Sequence, residues 1–382
     1  MAAAAAGLPF DVYERGSGPA ANVLAWGHVR LFTPWSMSVS PRMRSALAET
    51  GRDVPSSATE CPTGAELVRQ VYEPIAALPA MAASLHYGVR VLEVGRQGLT
   101  KEQEIATAER GSRPFRILVE EAGNGGEERI ETADVVLDAT GTYGHPNSLG
   151  DGGIPAPGER AAAARIVRQI PDVLAQADTW AGQRVLLVGG GHSAQTVARD
   201  FDRLIRQGAP LELTWAVRGE RPEAGVADDP LPERAELAQS SASLAAGSNP
   251  SIRVLANVVV DSLRPAERGL TVVLRAADGF VEVEVDRVVS LTGSVGDHRI
   301  YRQLQVHECY ATAGPMKLSA KLLGEAASDC LAQTGGGVDV LRNPEPGFFF
   351  LGSKSYGRNA IFLLRSGWEQ ADEVIGSLRA GA

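Results

Sequence analysis

The chain has 382 residues, 44% of them hydrophobic and 22% charged, with a formal net charge of −9. That length exceeds one hydrophobic core and predicts two domains; the composition is that of a soluble globular protein. The negative balance excludes nucleic acid and anionic lipid as broad electrostatic partners.

In chain order, strand-like and helical segments alternate, which predicts an α/β protein with mostly parallel sheets. The alanine-rich residues 1–7 lack the basic start and apolar run of a signal peptide, and read as the tail of a helix. Residues 8–15 form a short apolar strand that ends in Glu14 and Arg15. Residues 22–35 are rich in aromatics; Trp26 and Trp35 stack on a cofactor, line a substrate pocket, or pack in a core, while His28 and Arg30 contact an anion or serve structure. A second strand, residues 135–141, closes on Ala139, Thr140 and Gly141, and the Gly/Pro-crowded residues 147–158 read as a linker.

The clearest feature follows: a strand over residues 184–188, then Gly189, Gly190, Gly191, His192, Ser193 and Ala194, then a helix to about residue 207. A strand over residues 211–217 ends at Arg218, with Arg221 close behind. Residues 219–250 read as a long excursion or lid. Residues 251–256, 271–275 and 281–291 are further strands, the last reaching Thr292 and Gly293. Residues 347–352 return as a strand, and a final helix begins near residue 360.

Glycines between a strand and a helix allow a tight turn and a close backbone approach to a pyrophosphate, whose charge meets the free N–H groups of the helix. The same pattern without ligand is a close-packed turn, and His192 fits a turn residue better than an acid or base. At the end of the next strand an acid would bind the 2′-hydroxyl of NAD, whereas Arg218 suits a 2′-phosphate and favours NADP. Glu14 makes the opposite choice and suits the adenosine ribose of FAD. The strand and GxGxxG turn expected before Glu14 are not in the sequence as it stands.

These motifs, from Glu14 through Ala139, Thr140 and Gly141 to the Gly189 turn and Thr292, resemble those of flavoproteins of the flavin-containing monooxygenase and thioredoxin-reductase-like class. The resemblance implies two Rossmann-like dinucleotide-binding domains, each three-layered, with the NADP domain inserted into the FAD domain. Residues 1–150 would be the FAD-binding part, 151–296 the NAD(P)-binding part and 297–382 the return to the first. It further implies that Gly352 reaches the flavin, with Phe362, Leu363 and Leu364 at the following helix. Two departures matter: the FxGxxxH pattern of the monooxygenases is absent before the second turn, and no CxxC occurs. The three cysteines, Cys61, Cys309 and Cys330, therefore suggest neither a dithiol pair nor a disulfide framework and fit a reducing cytoplasm. Lys317 orients an acidic substrate or lies on the surface.

The expected function is an NADPH-dependent FAD oxidoreductase, monooxygenase-like, acting on a small molecule and able to form a homodimer. The alternatives are a non-catalytic NADP-binding remnant unable to retain FAD, and a flavin or disulfide reductase acting through a partner. No metal-ligand spacing is evident, and no run approaches a membrane span.

Overall fold

The alternating strands and helices divide into two units in the computed structural model, which describes residues 1–121, 126–324 and 336–380. The first comprises Met1–Gly27, Thr33–His145 and Val295–Ala382; the second comprises His28–Phe32 and Pro146–Ser294 and interrupts the first in sequence.

The first unit opens with β1 (Val12–Glu14), β2 (Leu85–Tyr87), β3 (Val89–Arg96), β4 (Phe115–Glu121), β5 (Glu128–Ala133) and β6 (Val136–Asp138). β1 pairs with β2 in parallel, whereas β3, β4 and β5 make an antiparallel sheet.

The second unit follows with β7 (Ile166–Val167), β8 (Arg184–Val188), β9 (Glu212–Ala216), β10 (Ile252–Leu255), β11 (Val259–Pro265), β12 (Leu270–Ala276), β13 (Gly279–Val285) and β14 (Arg287–Ser290). Its parallel sheet runs β10-β9-β8-β14-β7, and β11-β12-β13 form a separate antiparallel sheet. Side chains on a strand alternate faces, so β8 serves two cores at once. Val185 and Leu187 pack with Phe201 and Leu204 of the helix His192–Arg206, while Leu186 packs with Val260, Val272 and Leu274 of the antiparallel sheet. Helix, parallel sheet and antiparallel sheet are thus three layers.

The chain then returns to the first unit as β15 (Phe348–Phe350), parallel to β6. The same alternation operates here. Phe348 and Phe350 join Phe115 and Val119 in one core, while Phe349 joins Val374 of the helix Leu364–Ala380 in another.

Several sequence expectations change. Residues 219–250 are not all excursion: Pro232–Ala245 is a helix that buries Leu237 and Leu244 and completes the crossover from β9 to β10. Residues 281–291 are two strands of different sheets, because buried Asp286 binds the Arg184 backbone N–H and guanidinium and breaks the run. Residues 147–158 are packed, since Leu149 and Ala156 are core residues whose N–H groups donate to buried Glu159. The strand over residues 8–15 shortens to Val12–Glu14, and residues 1–7 form a short helix, Ala2–Ala6.

Candidate functional site

In the second unit the expected turn lies between β8 and the helix His192–Arg206. Gly189 has φ 138°, and a Cβ there would lie 2.3 Å from the Leu291 carbonyl oxygen. No other residue fits without moving the backbone that leaves β14. Its N–H donates to Ala216 O at 3.1 Å, and its carbonyl accepts from Trp215 Nε1 at 2.7 Å. Ala194 is fully buried beneath it, which demands a small side chain at the third position of the turn. Gly190 and Gly191 are not sterically required in the same way; their Cβ positions meet nothing closer than 3.5 Å.

The helix starts at His192 with no side-chain cap, so its first N–H groups remain available to an anion. Ser193 is exposed there. The His192 ring meets Phe32 edge-on at 5.0 Å. Burial lowers its pKa, against the opposing pull of Glu223. Arg218 and Arg221 follow β9, exposed and without a carboxylate partner among the described residues.

Two residues here escaped the sequence reading. The Glu223 N–H donates to Gly190 O at 2.9 Å, and buried Gln195 donates from Nε2 to Glu223 O at 2.8 Å. These bonds lay residues 219–223 back along the turn. They bring the Glu223 carboxylate within 3.5 Å of the Cβ position of Gly191. The only signal in the sequence was Gln195 itself, a polar residue on the apolar face of its helix.

In the first unit, distant segments converge on Ala139, Thr140 and Gly141. Gly141 has φ 70°, and its Cβ position lies 3.4 Å from Ser353 Oγ and 3.9 Å from Asn22 Nδ2. Ala139 and Thr140 are exposed. Gly352 also has positive φ, faces open space, and donates its N–H to buried Gln370 at 2.9 Å. Phe362 packs edge-on to Tyr356 and against Gly367 in the first turn of the C-terminal helix, and the Leu363 carbonyl accepts from the Gly367 N–H. Leu364 is the first residue of that helix. Glu14, half-buried at the end of β1, accepts from Gly16 N–H through Oε1 at 2.6 Å. Arg15 is exposed and reaches over Gly144.

What holds this cluster was also missed. Lys354 is 3% exposed, and its ammonium donates to Asp138 at 2.6 Å, Thr140 Oγ1 at 3.1 Å and the Asp297 carbonyl at 2.9 Å. Asp138 Oδ1 accepts in turn from the Thr140 hydroxyl and N–H. One buried ion pair therefore fixes the Thr140 turn against β15 and the returning chain. An aspartate inside an apolar strand, Val135-Val136-Leu137-Asp138, is the sequence signal for such a partner.

Beside Lys354, Tyr301, His298 and Glu308 meet. His298 Nδ1 is 2.8 Å from both the Tyr301 hydroxyl and Glu308 Oε1, and the Tyr301 hydroxyl donates to the same carboxylate oxygen. Burial and the adjacent Glu308 push the tyrosine well above its usual pKa. Burial would raise Glu308, but hydrogen bonds from His298 and Tyr301 hold it below the usual range.

The aromatic segment divides. Trp35 is core, and Trp26 packs on Gly64. Cys61 and Cys309 are buried, Lys317 is exposed, and Cys330 lies outside the described residues. Burial opposes, but hydrogen bonds from Thr312 outweigh it and lower the Cys309 pKa. Among the described residues no cluster could hold a metal, and no helix is long and apolar enough to cross a membrane.

No protein-family model and no curated protein matches the chain. Solved structures do. Bacillithiol disulfide reductase Bdr (YpdA) from Bacillus cereus is similar at 16% identity and TM-score 0.68, covering 100% of this chain and 94% of that one. Ornithine hydroxylase (PvdA) from Pseudomonas aeruginosa is similar at 15% identity and TM-score 0.63, over 99% and 93%. A flavin-containing monooxygenase from Stenotrophomonas maltophilia is similar at 18% identity and TM-score 0.57, again over 99% and 93%. The chain thus has the two-domain, Rossmann-type α/β fold found in these oxidoreductases.

Proposed function

We propose that this chain is an NADPH-dependent FAD oxidoreductase, monooxygenase-like, acting on a small molecule. The observation that carries the reading is the Gly189 turn, closed by Leu291 O and opening an uncapped helix at the C-terminal end of the central strand of a five-stranded parallel sheet. Such a turn suits a pyrophosphate, and the unpaired Arg218 and Arg221 suit a 2′-phosphate. The neighbours' printed names, disulfide reductase, hydroxylase and monooxygenase, support the same chemistry.

NADP would be held by Gly189, Gly190, Gly191, His192, Ser193, Ala194 and Arg218. FAD would be held by Glu14, Arg15, Ala139, Thr140, Gly141, Gly352, Phe362 and Leu363. The residues fit that group in two respects: Gly352 leaves open space where a side chain would stand, and the second oxygen of Glu14 accepts no hydrogen bond among the described residues. FAD, when bound, supplies the redox chemistry. The chain supplies the rest. The Asp138–Lys354 pair keeps the Thr140 turn rigid.

A second reading is a reductase that passes electrons through a partner. It is favoured by the likeness to the bacillithiol disulfide reductase, while Cys61 and Cys309 remain buried single thiols.

Purified protein should carry a visible flavin spectrum that bleaches with NADPH. Arg218→Glu with Arg221→Glu should raise KM for NADPH at least about tenfold and leave NADH unchanged. Colourless protein that still binds NADPH would reduce the chain to a non-catalytic nucleotide binder. Hydrogen peroxide release without any oxygenated product would favour the reductase.

A further inference from the structure

Over Tyr301, His298 and Glu308, the first unit opens into a cleft of about 230 Å³. Its rim carries Lys101, Arg299 and Arg302. Arg299 is spent on Asp297, at 2.9 Å. Lys101 and Arg302 are not: among the described residues neither meets a carboxylate, and the Lys101 ammonium only donates to the Arg302 carbonyl at 3.0 Å. That bond ties the Lys101 ammonium to the Arg302 backbone across 201 positions of sequence. Gln305 reinforces it by donating to the carbonyls of Lys101 and Gln103 at 2.7 and 2.9 Å.

The floor is equally organised. Glu308 would repel an anion if it stood alone, but the Tyr301 hydroxyl and His298 Nδ1 both bind it. With Nδ1 committed, the other ring nitrogen of His298 is the one left for a ligand. The Tyr301 ring lies 5.0 Å from Lys354 Nζ, which is itself bonded to Thr140. The cleft is therefore one side chain away from the turn assigned to the flavin.

We infer that this cleft binds the anionic end, a carboxylate or phosphate group, of a small acidic substrate. Lys101 and Arg302 supply the charge, and His298, oriented by Glu308 through Nδ1, donates to the anion from Nε2 as the imidazolium. Two cations on the rim of one cleft, neither meeting a carboxylate among the described residues, bind a compact anion beside a histidine better than they bind solvent. Only the word substrate rests on the oxidoreductase reading; the binding site stands by itself.

The test is calorimetric titration of inorganic phosphate and, separately, succinate into the full chain. Phosphate could also settle beside Arg218 and Arg221, so both titrations are repeated in Arg218→Glu with Arg221→Glu. Saturable binding of at least one anion is expected, unchanged in that variant and weakened about tenfold or more in Lys101→Gln with Arg302→Gln. His298→Phe should weaken it less. NADPH titration should be unaffected by the Lys101 and Arg302 changes, which reports intact folding. Preference for succinate identifies a carboxylate, and preference for phosphate a phosphoryl group; either supports the site. Absence of binding, loss in the Arg218 and Arg221 variant, or indifference to the Lys101 and Arg302 changes overturns it. Anion binding that survives in a chain showing no NADPH binding would keep the cleft and remove the oxidoreductase reading.

Discussion

The two units build their candidate sites by opposite means. In the second unit one unbroken five-stranded parallel sheet carries the glycine turn, and the turn needs only local contacts: β8, the following helix and the backbone at Leu291. In the first unit the parallel strands are divided into two ribbons, β1 with β2 and β6 with β15. There the site residues come from four separate stretches of chain, and buried charge does the joining. Asp138 and Lys354 are one such joint; Glu345, between Arg96 and Arg110, is the other. A continuous sheet positions a turn through hydrophobic burial, whereas a divided one depends on a few polar bonds whose loss is expensive.

The largest effect should come from Glu345. Its side chain and both guanidinium groups are fully buried, at 2.7 and 2.8 Å, and it also accepts from the Gln305 N–H. Arg96 lies over the Phe115 ring and cannot retreat to water. Glu345→Ala leaves two uncompensated cations and should cost about 3–5 kcal/mol. Hydrogen exchange should rise throughout β3, β4 and β15 and stay unchanged in β8 and β9. Equal loosening of both units would erase the contrast drawn above.

Next comes Lys354→Met, which strands the Asp138 carboxylate and should cost about 3 kcal/mol. Asp138→Leu added to it should recover most of that stability, since a well-packed apolar pair replaces a buried ion pair at little cost. It should not recover flavin retention, because the Thr140 hydroxyl and N–H lose their acceptor. Recovery of both would mean that the pair serves stability alone.

The same contrast explains what could be read from sequence. The Gly189 turn was visible because strand, turn and helix are contiguous over residues 184–206, and each has its own local rule. Arg218 and Glu14 followed from their places at strand ends. The joints of the first unit were invisible because Asp138 and Lys354 are 216 positions apart, and Arg96 and Glu345 are 249 apart. Periodicity reports which face is buried, never which distant charge answers another. β11 was missed for a related reason: its Val-Val-Asp-Ser-Leu pattern contains a register shift between Val260 and Ser262 that breaks strict alternation. Residues 219–250 read as a long excursion or lid because their helix is rich in serine and alanine and has little apolar periodicity.

A smaller effect should sharpen the description of the second unit. The Glu223 carboxylate stands beside Gly191 at the start of the helix, where a phosphate would gain most from the free N–H groups. Glu223→Gln removes a competing negative charge without disturbing the backbone bonds to Gly190 and Gln195. NADPH and NADH should both bind about three- to fivefold more tightly, the equivalent of up to about 1 kcal/mol at a helix N-terminus. Weaker NADH binding alone would instead make Glu223 a ribose acceptor, and the second unit would then resemble the first in using an acid.

The smallest effect concerns acid. Asp297 is held at about 2 because, although burial opposes it, Arg299 donates to it from both side chain and backbone and His145 adds positive charge. A carboxyl whose folded pKa lies below its unfolded value stabilises the fold fully above the unfolded pKa, and that stability drains as pH falls through the folded one. The window here runs from about pH 4 to about pH 2. Solvent screening of the exposed Arg299 limits the contribution to about 1 kcal/mol. Asp297→Asn should flatten the acid limb of first-unit stability by that amount while leaving the Asp297 carbonyl bond to Lys354 in place. An unchanged acid limb in Asp297→Asn would assign acid sensitivity to the buried pairs instead, and so to the same joints that distinguish the first unit from the second.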